Sequence, residues 1–145
     1  IVSGGIRNGA DVAKAMAMGC DAVSIGTGAL IALGCNSPDH EAAYQKMGTS
    51  AGFYDQYQSG LDPAGITTQD EKLGENLDPK LGGRRLANYL RTMTLEAQTL
   101  ARACGKSHIR NLEPEDLVAT TMESAAMAKI PLCGTDWYPG CKQSM

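Results

Sequence analysis

The spacing of apolar positions changes several times along the chain and divides it into three parts. Ile1-Val2-Ser3 reads as the end of a buried strand, and Gly4 to Gly9 as a glycine-rich turn. From Ala10 to Met18 the spacing is helical, with Val12, Ala15, Met16 and Gly19 on one side. Gly19 closes this helix, because a residue without a side chain enters the left-handed region most easily. Asp21 to Ile25 predicts the next strand, Gly26-Thr27-Gly28 a second turn, and Ala29 to Leu33 a second helix. Strand, turn, helix and strand in such quick succession make a βα unit running into the next. Units of this kind build parallel sheets or (β/α) barrels.

Residues 35–83 carry a different pattern. Pro38, Pro63 and Pro79, with Gly48, Gly52, Gly60, Gly65, Gly74, Gly82 and Gly83, break any long periodicity. His40 to Lys46 predicts a short helix, and the remainder reads as an ordered loop. A loop of this length in a compact domain is usually functional, so it is expected to pack over something. Residues 84–130 read as helical. Leu86, Leu90, Met93, Ala97, Leu100 and Cys104 form one apolar stripe on a long helix, which Gly105 closes. Glu113-Pro114-Glu115-Asp116 places Pro and acids where a helix starts and predicts a second helix running to Ala128. The tail from Cys133 to Met145 has little pattern.

Composition narrows the class. The chain has 145 residues, 43% hydrophobic and 20% charged, with a net charge of -3 and no basic block, which excludes a disordered chain and gives no reason to expect nucleic acid. Cys20, Cys35, Cys104, Cys133 and Cys141 contain no CxxC pair. They read as reduced thiols of a soluble, cytoplasmic protein. The longest uncharged apolar stretch, Ala22 to Cys35, is too short to span a membrane. The chain opens on Ile1 rather than Met, as though already inside a structure.

The strongest chemical signal is the pair of glycine turns, one after each strand. Their missing side chains let a bound group approach backbone amides, the following helix points its positive end there, and Arg7 adds a formal charge. The plain alternative is that the glycines only make tight turns, and that Arg7 is a solvated surface charge. Two adjacent βα turns facing one spot favour an anion, as in the phosphate sites of many (β/α)8 barrels. His40 and His108 stand apart from any convincing ligand set. Glu113, Glu115 and Asp116 suit a helix start better than acid-base work.

The stretch from Ser3 to Ala15, followed by Asp21 to Thr27, resembles the flavin phosphate segment of FMN-dependent (β/α)8 enzymes and also part of inosine-monophosphate dehydrogenase. The continuation Gly28 to Cys35, with Gly65-Ile66-Thr67-Thr68-Gln69-Asp70, is similar to the FMN-binding synthase domain of the glutamate synthase family. Arg102 to Lys106 and Leu112 to Leu117 extend that likeness. Tyr44-Gln45-Lys46, Asp62-Pro63-Ala64-Gly65 and Trp137-Tyr138-Pro139-Gly140 most resemble the glutamate-synthase-like subunit of N-methylglutamate synthase.

The resemblance implies a C-terminal part of a (β/α)8 TIM barrel. Residues 1–34 would be its last two βα units, 35–83 a loop region replacing an iron-sulfur loop, and 84–145 a helical extension. A whole barrel needs about 250 residues, so six strands and the catalytic side chains are expected upstream of Ile1. The resemblance further implies FMN, its phosphate held by Ser3, Gly5, Arg7, Gly26 and Thr27. Gly4 and Gly9 would only form the turn. Glutamate or 2-oxoglutarate and an amine are the implied substrates, with other synthase subunits as partners. The implied activity is that of a glutamate-synthase-type oxidoreductase or an N-methylglutamate synthase subunit (methylamine-glutamate N-methyltransferase). In one respect the chain departs from the family. Three closely spaced cysteines hold a 3Fe-4S cluster in glutamate synthase, and here only Cys35 matches, so no cluster is expected and no metal ligand is assigned. Two rival expectations remain: an NAD-dependent barrel enzyme of the inosine-monophosphate dehydrogenase type, and a non-catalytic FMN-binding structural subunit.

Overall fold

The structure is a computed structural model that describes residues 1–138 and 140. Residue 139 and residues 141–145, which include Cys141 and end the predicted tail, lie outside them. The chain forms mixed α/β structure in two compact units, residues 1–24 with 93–145, and residues 25–92.

The first unit begins with strand β1 (Val2–Ser3), helix α1 (Gly9–Ala17) and strand β2 (Val23–Ser24). The strands pair in parallel, Val2 beside Val23 and Ser3 beside Ser24. Helix α1 starts where it does because Asn8 caps it, accepting the Asp11 amide at 2.9 Å. Asp11 in turn accepts the Arg7 amide at 3.0 Å and pairs with Lys14 at 3.0 Å. The Lys14 partner, followed by the Arg7 amide, holds the Asp11 carboxyl below its usual value. The buried face of α1 is Ala13, Met16 and Ala17. It is rotated from the predicted stripe: Val12 and Ala15 are half-buried and Gly19 is exposed.

The rotation follows from what α1 packs on. Its buried face meets Ala101 of helix α5 (Pro79–Ala103) and Leu112, with Val12, Cys20, Ile109 and Leu117 around them. On α5, residues 93–103 belong to this unit and bury Met93, Ala97 and Ala101. Leu100 and Cys104, predicted for the same stripe, are exposed. Leu90 of that stripe is exposed as well and Cys104 lies past the helix end at Ala103, so the contact face is the Met93, Ala97 and Ala101 row. Small residues on that face allow a close approach, and Gly9 completes it. A Cβ on Gly9 would stand 2.4 Å from the Met93 carbonyl oxygen and 2.6 Å from the Ala97 nitrogen.

The second helix expected from Glu113 to Ala128 is not continuous. Pro114–Asp116 form a single 3-10 turn, in which Asp116 accepts the Glu113 amide at 2.9 Å. The chain then extends, and Ala119 bridges in parallel to Leu132. Leu117 and Ala119 pack at a spacing of two, which a helix could not satisfy. Thr121 caps a fresh helix, α6 (Met122–Ala128), by accepting the Ser124 amide at 3.1 Å. Ala119, Ala125 and Ile130 form the small core beneath it.

The second unit opens with helix α2 (Thr27–Leu33), two positions earlier than the pattern predicts. The expected loop contains more structure than its glycines suggest. It holds α3 (Glu41–Lys46), α4 (Glu71–Gly74) and two 3-10 turns, Pro38–His40 and Ala51–Phe53. Helix α5 begins at Pro79 rather than residue 84, because Asp78 accepts the amides of Lys80 and Leu81 at 2.9 and 3.0 Å. Gly82 lies inside that helix, and a Cβ there would come within 3.2 Å of the Leu33 carbonyl oxygen. The core is aromatic: Tyr44 and Tyr54 have ring centroids 5.2 Å apart, and Tyr57 meets Tyr54 edge-on at 5.5 Å. No helix among the described residues is long and apolar enough to cross a membrane.

Two substitutions test this packing by urea unfolding. Gly9→Ala must force α1 and α5 apart and is expected to destabilise the protein by about 2–3 kcal/mol. Gly83→Ala, in the same long helix but with open space around its Cβ, is expected to stabilise by about 0.5–1 kcal/mol. Equal effects at the two positions would contradict the close approach at Gly9.

Candidate functional site

The turn between β1 and α1 lies at the exposed end of the sheet. Ser3, Gly5 and Arg7 are all exposed there. Gly4 and Gly5 have φ of +102° and +70°, so the turn needs residues that tolerate left-handed backbone. Among the described residues no acceptor takes the amides of Gly5 or Ile6. The start of α1 is different. Its amides at Gly9 and Asp11 are already taken, by Glu96 Oε2 at 2.6 Å and by Asn8 Oδ1 at 2.9 Å. The expectation that α1 points an open positive end at a ligand therefore needs correction: a carboxylate of the chain itself occupies that end. What stays open to an anion in this turn is the backbone of Gly5 and Ile6.

Ser24 ends β2 directly beside Ser3. Gly26 and Thr27 follow it in the chain and belong to the second unit, where they are exposed and open α2. Gly26 caps that helix with no side-chain bond, so the first amides of α2 have no capping side chain.

Cys35 sits at the other end of α2, and its surroundings are the most polar part of either core. Asp62, fully buried, lies with its carboxylate 3.9 Å from the Cys35 sulfur. Its Oδ1 accepts the Ala64 amide at 3.0 Å and the Tyr44 hydroxyl at 3.4 Å. Its Oδ2 accepts the amides of Ile66 and Thr67, each at 3.1 Å. The Tyr44 hydroxyl accepts the Asn36 amide at 3.0 Å. Burial, and then the nearby Asp62 charge, pushes the Cys35 thiol up to about 11. Burial likewise raises Tyr44 and Tyr57 above the usual phenol range. Asn36 Oδ1 and Thr67 Oγ1 are buried without a partner among the described residues.

These groups do not fit an iron-sulfur cluster, which is held by several thiolates. Cys35 faces a carboxylate and a phenol, and its thiol is held protonated. Among the described residues no three His, Cys, Asp or Glu side chains come together to hold a metal ion. Residue pattern alone does not single out Asp62, although a signal exists. Asp-Pro-Ala-Gly is a turn sequence in which Asp accepts the amide two residues on, and here that amide is Ala64.

Removing the carboxylate would leave one buried and two part-buried backbone donors without an acceptor. Asp62→Ala is expected to lose about 3 kcal/mol or more in urea unfolding. In the native protein at pH 8, iodoacetamide is expected to label exposed Cys104 and leave Cys35 unmodified until denaturant is added. Fast native labelling of Cys35 would mean that this core is open.

Comparison with known proteins places the chain. The description "Conserved region in glutamate synthase" matches residues 1–44 and 56–107. The unmatched interval, 45–55, carries Ala51 and Tyr54 of the aromatic core. The chain is 69% identical over 140 residues to the "Glutamate synthase large subunit-like protein" of Rhizobium meliloti (strain 1021), a match covering 97% of the chain and 32% of that protein. It is 41% identical over 112 residues to the "Archaeal glutamate synthase (NADPH)" of Methanocaldococcus jannaschii, covering 77% of the chain and 19% of that protein. An "Archaeal-type glutamate synthase (NADPH)" of Thermotoga maritima matches at 42% over the same shares. The chain thus spans about a third of the first relative's length and about a fifth of the other two. No solved structure matches it. The chain belongs to the glutamate synthase family.

Proposed function

We propose that this chain carries the phosphate-binding end of an FMN-dependent (β/α)8 synthase subunit that forms N-methylglutamate from methylamine and glutamate. One observation carries the flavin part: the in-register parallel strands β1 and β2 each run into an exposed glycine turn. In the first, the amides of Gly5 and Ile6 stay open. The second, at Gly26, starts α2 without a capping side chain. Membership of the glutamate synthase family favours this reading over an NAD-dependent barrel of the inosine-monophosphate dehydrogenase type.

In this reading FMN, when bound, supplies hydride transfer, and the protein supplies position and charge. Ser3, Gly5, Arg7, Gly26 and Thr27 would hold the FMN phosphate, chiefly through backbone amides and the Arg7 guanidinium. Glutamate or 2-oxoglutarate and an amine are the substrates, and other synthase subunits the partners. Catalytic side chains belong to further strands of the barrel. The Cys35 region takes no part in electron transfer, because the groups facing its thiol are a carboxylate and a phenol.

The test uses the purified full-length protein with its partner subunits. It is expected to be yellow, to release FMN on denaturation, and to form N-methylglutamate from methylamine and glutamate. Arg7→Ala is expected to weaken FMN binding by roughly tenfold or more, the usual loss for a hydrogen bond to a charged group. A colourless protein would overturn the flavin reading. Glutamate formation from 2-oxoglutarate and ammonia, with no N-methylglutamate, would move the enzyme to the glutamate synthase branch. Bound FMN without turnover on any of these substrates would leave a structural subunit.

A further inference from the structure

The turn from Ser3 to Arg7 is secured at both ends. At its start, Ser3 is held in the sheet beside Ser24. At its far end the chain enters α1 at Gly9, where the Gly9 amide donates to Glu96 Oε2 at 2.6 Å. Glu96 stands on α5, between Met93 and Ala97, which are buried in the first unit's core. It reaches the turn from 87 residues away in sequence. Gly9 itself is buried, and a Cβ there would lie 2.5 Å from the Glu96 Cβ. Helix α5 therefore grips the end of the turn through backbone contact and one hydrogen bond to a carboxylate, a strong kind.

The carboxylate also occupies the end of α1 that would otherwise attract an anion. Two roles for Glu96 are thus conceivable, with opposite consequences. As a charge it would repel a phosphate bound at the neighbouring turn. As an anchor it would keep the Gly5 and Ile6 amides aimed at one place, so that a ligand need not order them on binding. The geometry favours the anchor, because the short bond to Gly9 and the glycine-sized gap fix the same point of the backbone.

We propose that Glu96 is a positioning residue for the phosphate turn: by accepting the Gly9 amide it ties the first turn of α1 to α5 and holds the Ser3–Arg7 backbone ready for a phosphate. The proposal rests on the FMN reading above, and its test separates the two. Dissociation constants for FMN and riboflavin are measured on the full-length apoprotein and on Glu96→Ala, Glu96→Asp and Glu96→Gln. Riboflavin lacks the phosphate, so a role exerted through this turn alters the FMN-to-riboflavin preference, whereas general loosening weakens both ligands alike.

Glu96→Ala is expected to reduce the preference roughly tenfold, the usual loss for such a bond. Glu96→Asp keeps the charge but falls short of Gly9, and is expected to behave like Glu96→Ala. Glu96→Gln keeps an oxygen acceptor without the charge and is expected to stay within about threefold of the wild type, given the modest weight of a neutral bond. An unchanged preference in both Glu96→Ala and Glu96→Asp would overturn the proposal while leaving the phosphate reading standing. A several-fold gain in FMN affinity in Glu96→Gln would overturn it in favour of charge repulsion. A wild-type protein with no preference for FMN over riboflavin would overturn the phosphate reading, and the positioning role with it. Should Glu96→Ala fold poorly, the comparison of Glu96→Asp with Glu96→Gln decides the matter alone.

Discussion

Helix α1 and helix α5 meet at a distance that admits no side chain at Gly9, and the first unit is arranged around that constraint. Because the backbones come so close, the residues between them must be small or slender, and Ala13, Ala17, Met93, Ala97 and Ala101 are. Because α1 is drawn in at its first turn, its amide at Gly9 needs an acceptor that arrives from α5, and Glu96 is placed to be one. The glycine turn leading from β1 inherits its position from the same contact. A motif that looks self-contained in the sequence is therefore held by a helix far along the chain.

The second unit solves a different problem with a different device. Its loops cannot bury their backbone amides in a ladder, so a single carboxylate accepts them instead. Asp62 gathers the amides of Ala64, Ile66 and Thr67 and the Tyr44 hydroxyl, and the Tyr44 ring packs on Tyr54. A carboxylate suits this task because it only accepts, and all four partners donate. The same arrangement holds the thiol of Cys35 protonated and enclosed. Where glutamate synthases are expected to use several cysteines around a cluster, this chain knits the region together with hydrogen bonds and aromatic packing.

Local features are legible in proportion to how local their causes are. The helices over residues 9–17, 27–33 and 41–46, and the end of α5 near Gly105, follow from caps, periodicity and glycines within a few residues. The start of α5 is harder to see, because Gly82 and Gly83 look like breakers, while the deciding group is the Asp78 cap one residue before Pro79. The expected helix from Glu113 to Ala128 fails for a comparable reason: the acids after Pro114 serve one turn only, and Leu117 and Ala119 are drawn into a core at strand spacing. Of the candidate site, the two exposed turns can be recognised from glycine and strand pattern. The occupied end of α1 cannot, since Glu96 carries no mark in the sequence that pairs it with Gly9.

The sequence by itself determined the two strand-to-helix glycine turns, the short helices that follow them, the family resemblance, and the single cysteine where that resemblance implies a cluster. Each of these depends on residue identity and on neighbours within one or two turns of chain. The tertiary structure alone decided which face of each helix is buried, which turn amides stay open, and that Asp62 is the centre of a hydrogen-bonded core. The reason is physical: burial and hydrogen-bond partnership depend on groups brought together in space. A glycine tells the backbone what it is allowed to do, and only the packed neighbour decides whether that freedom serves a ligand, as proposed at Gly5, or another helix, as at Gly9.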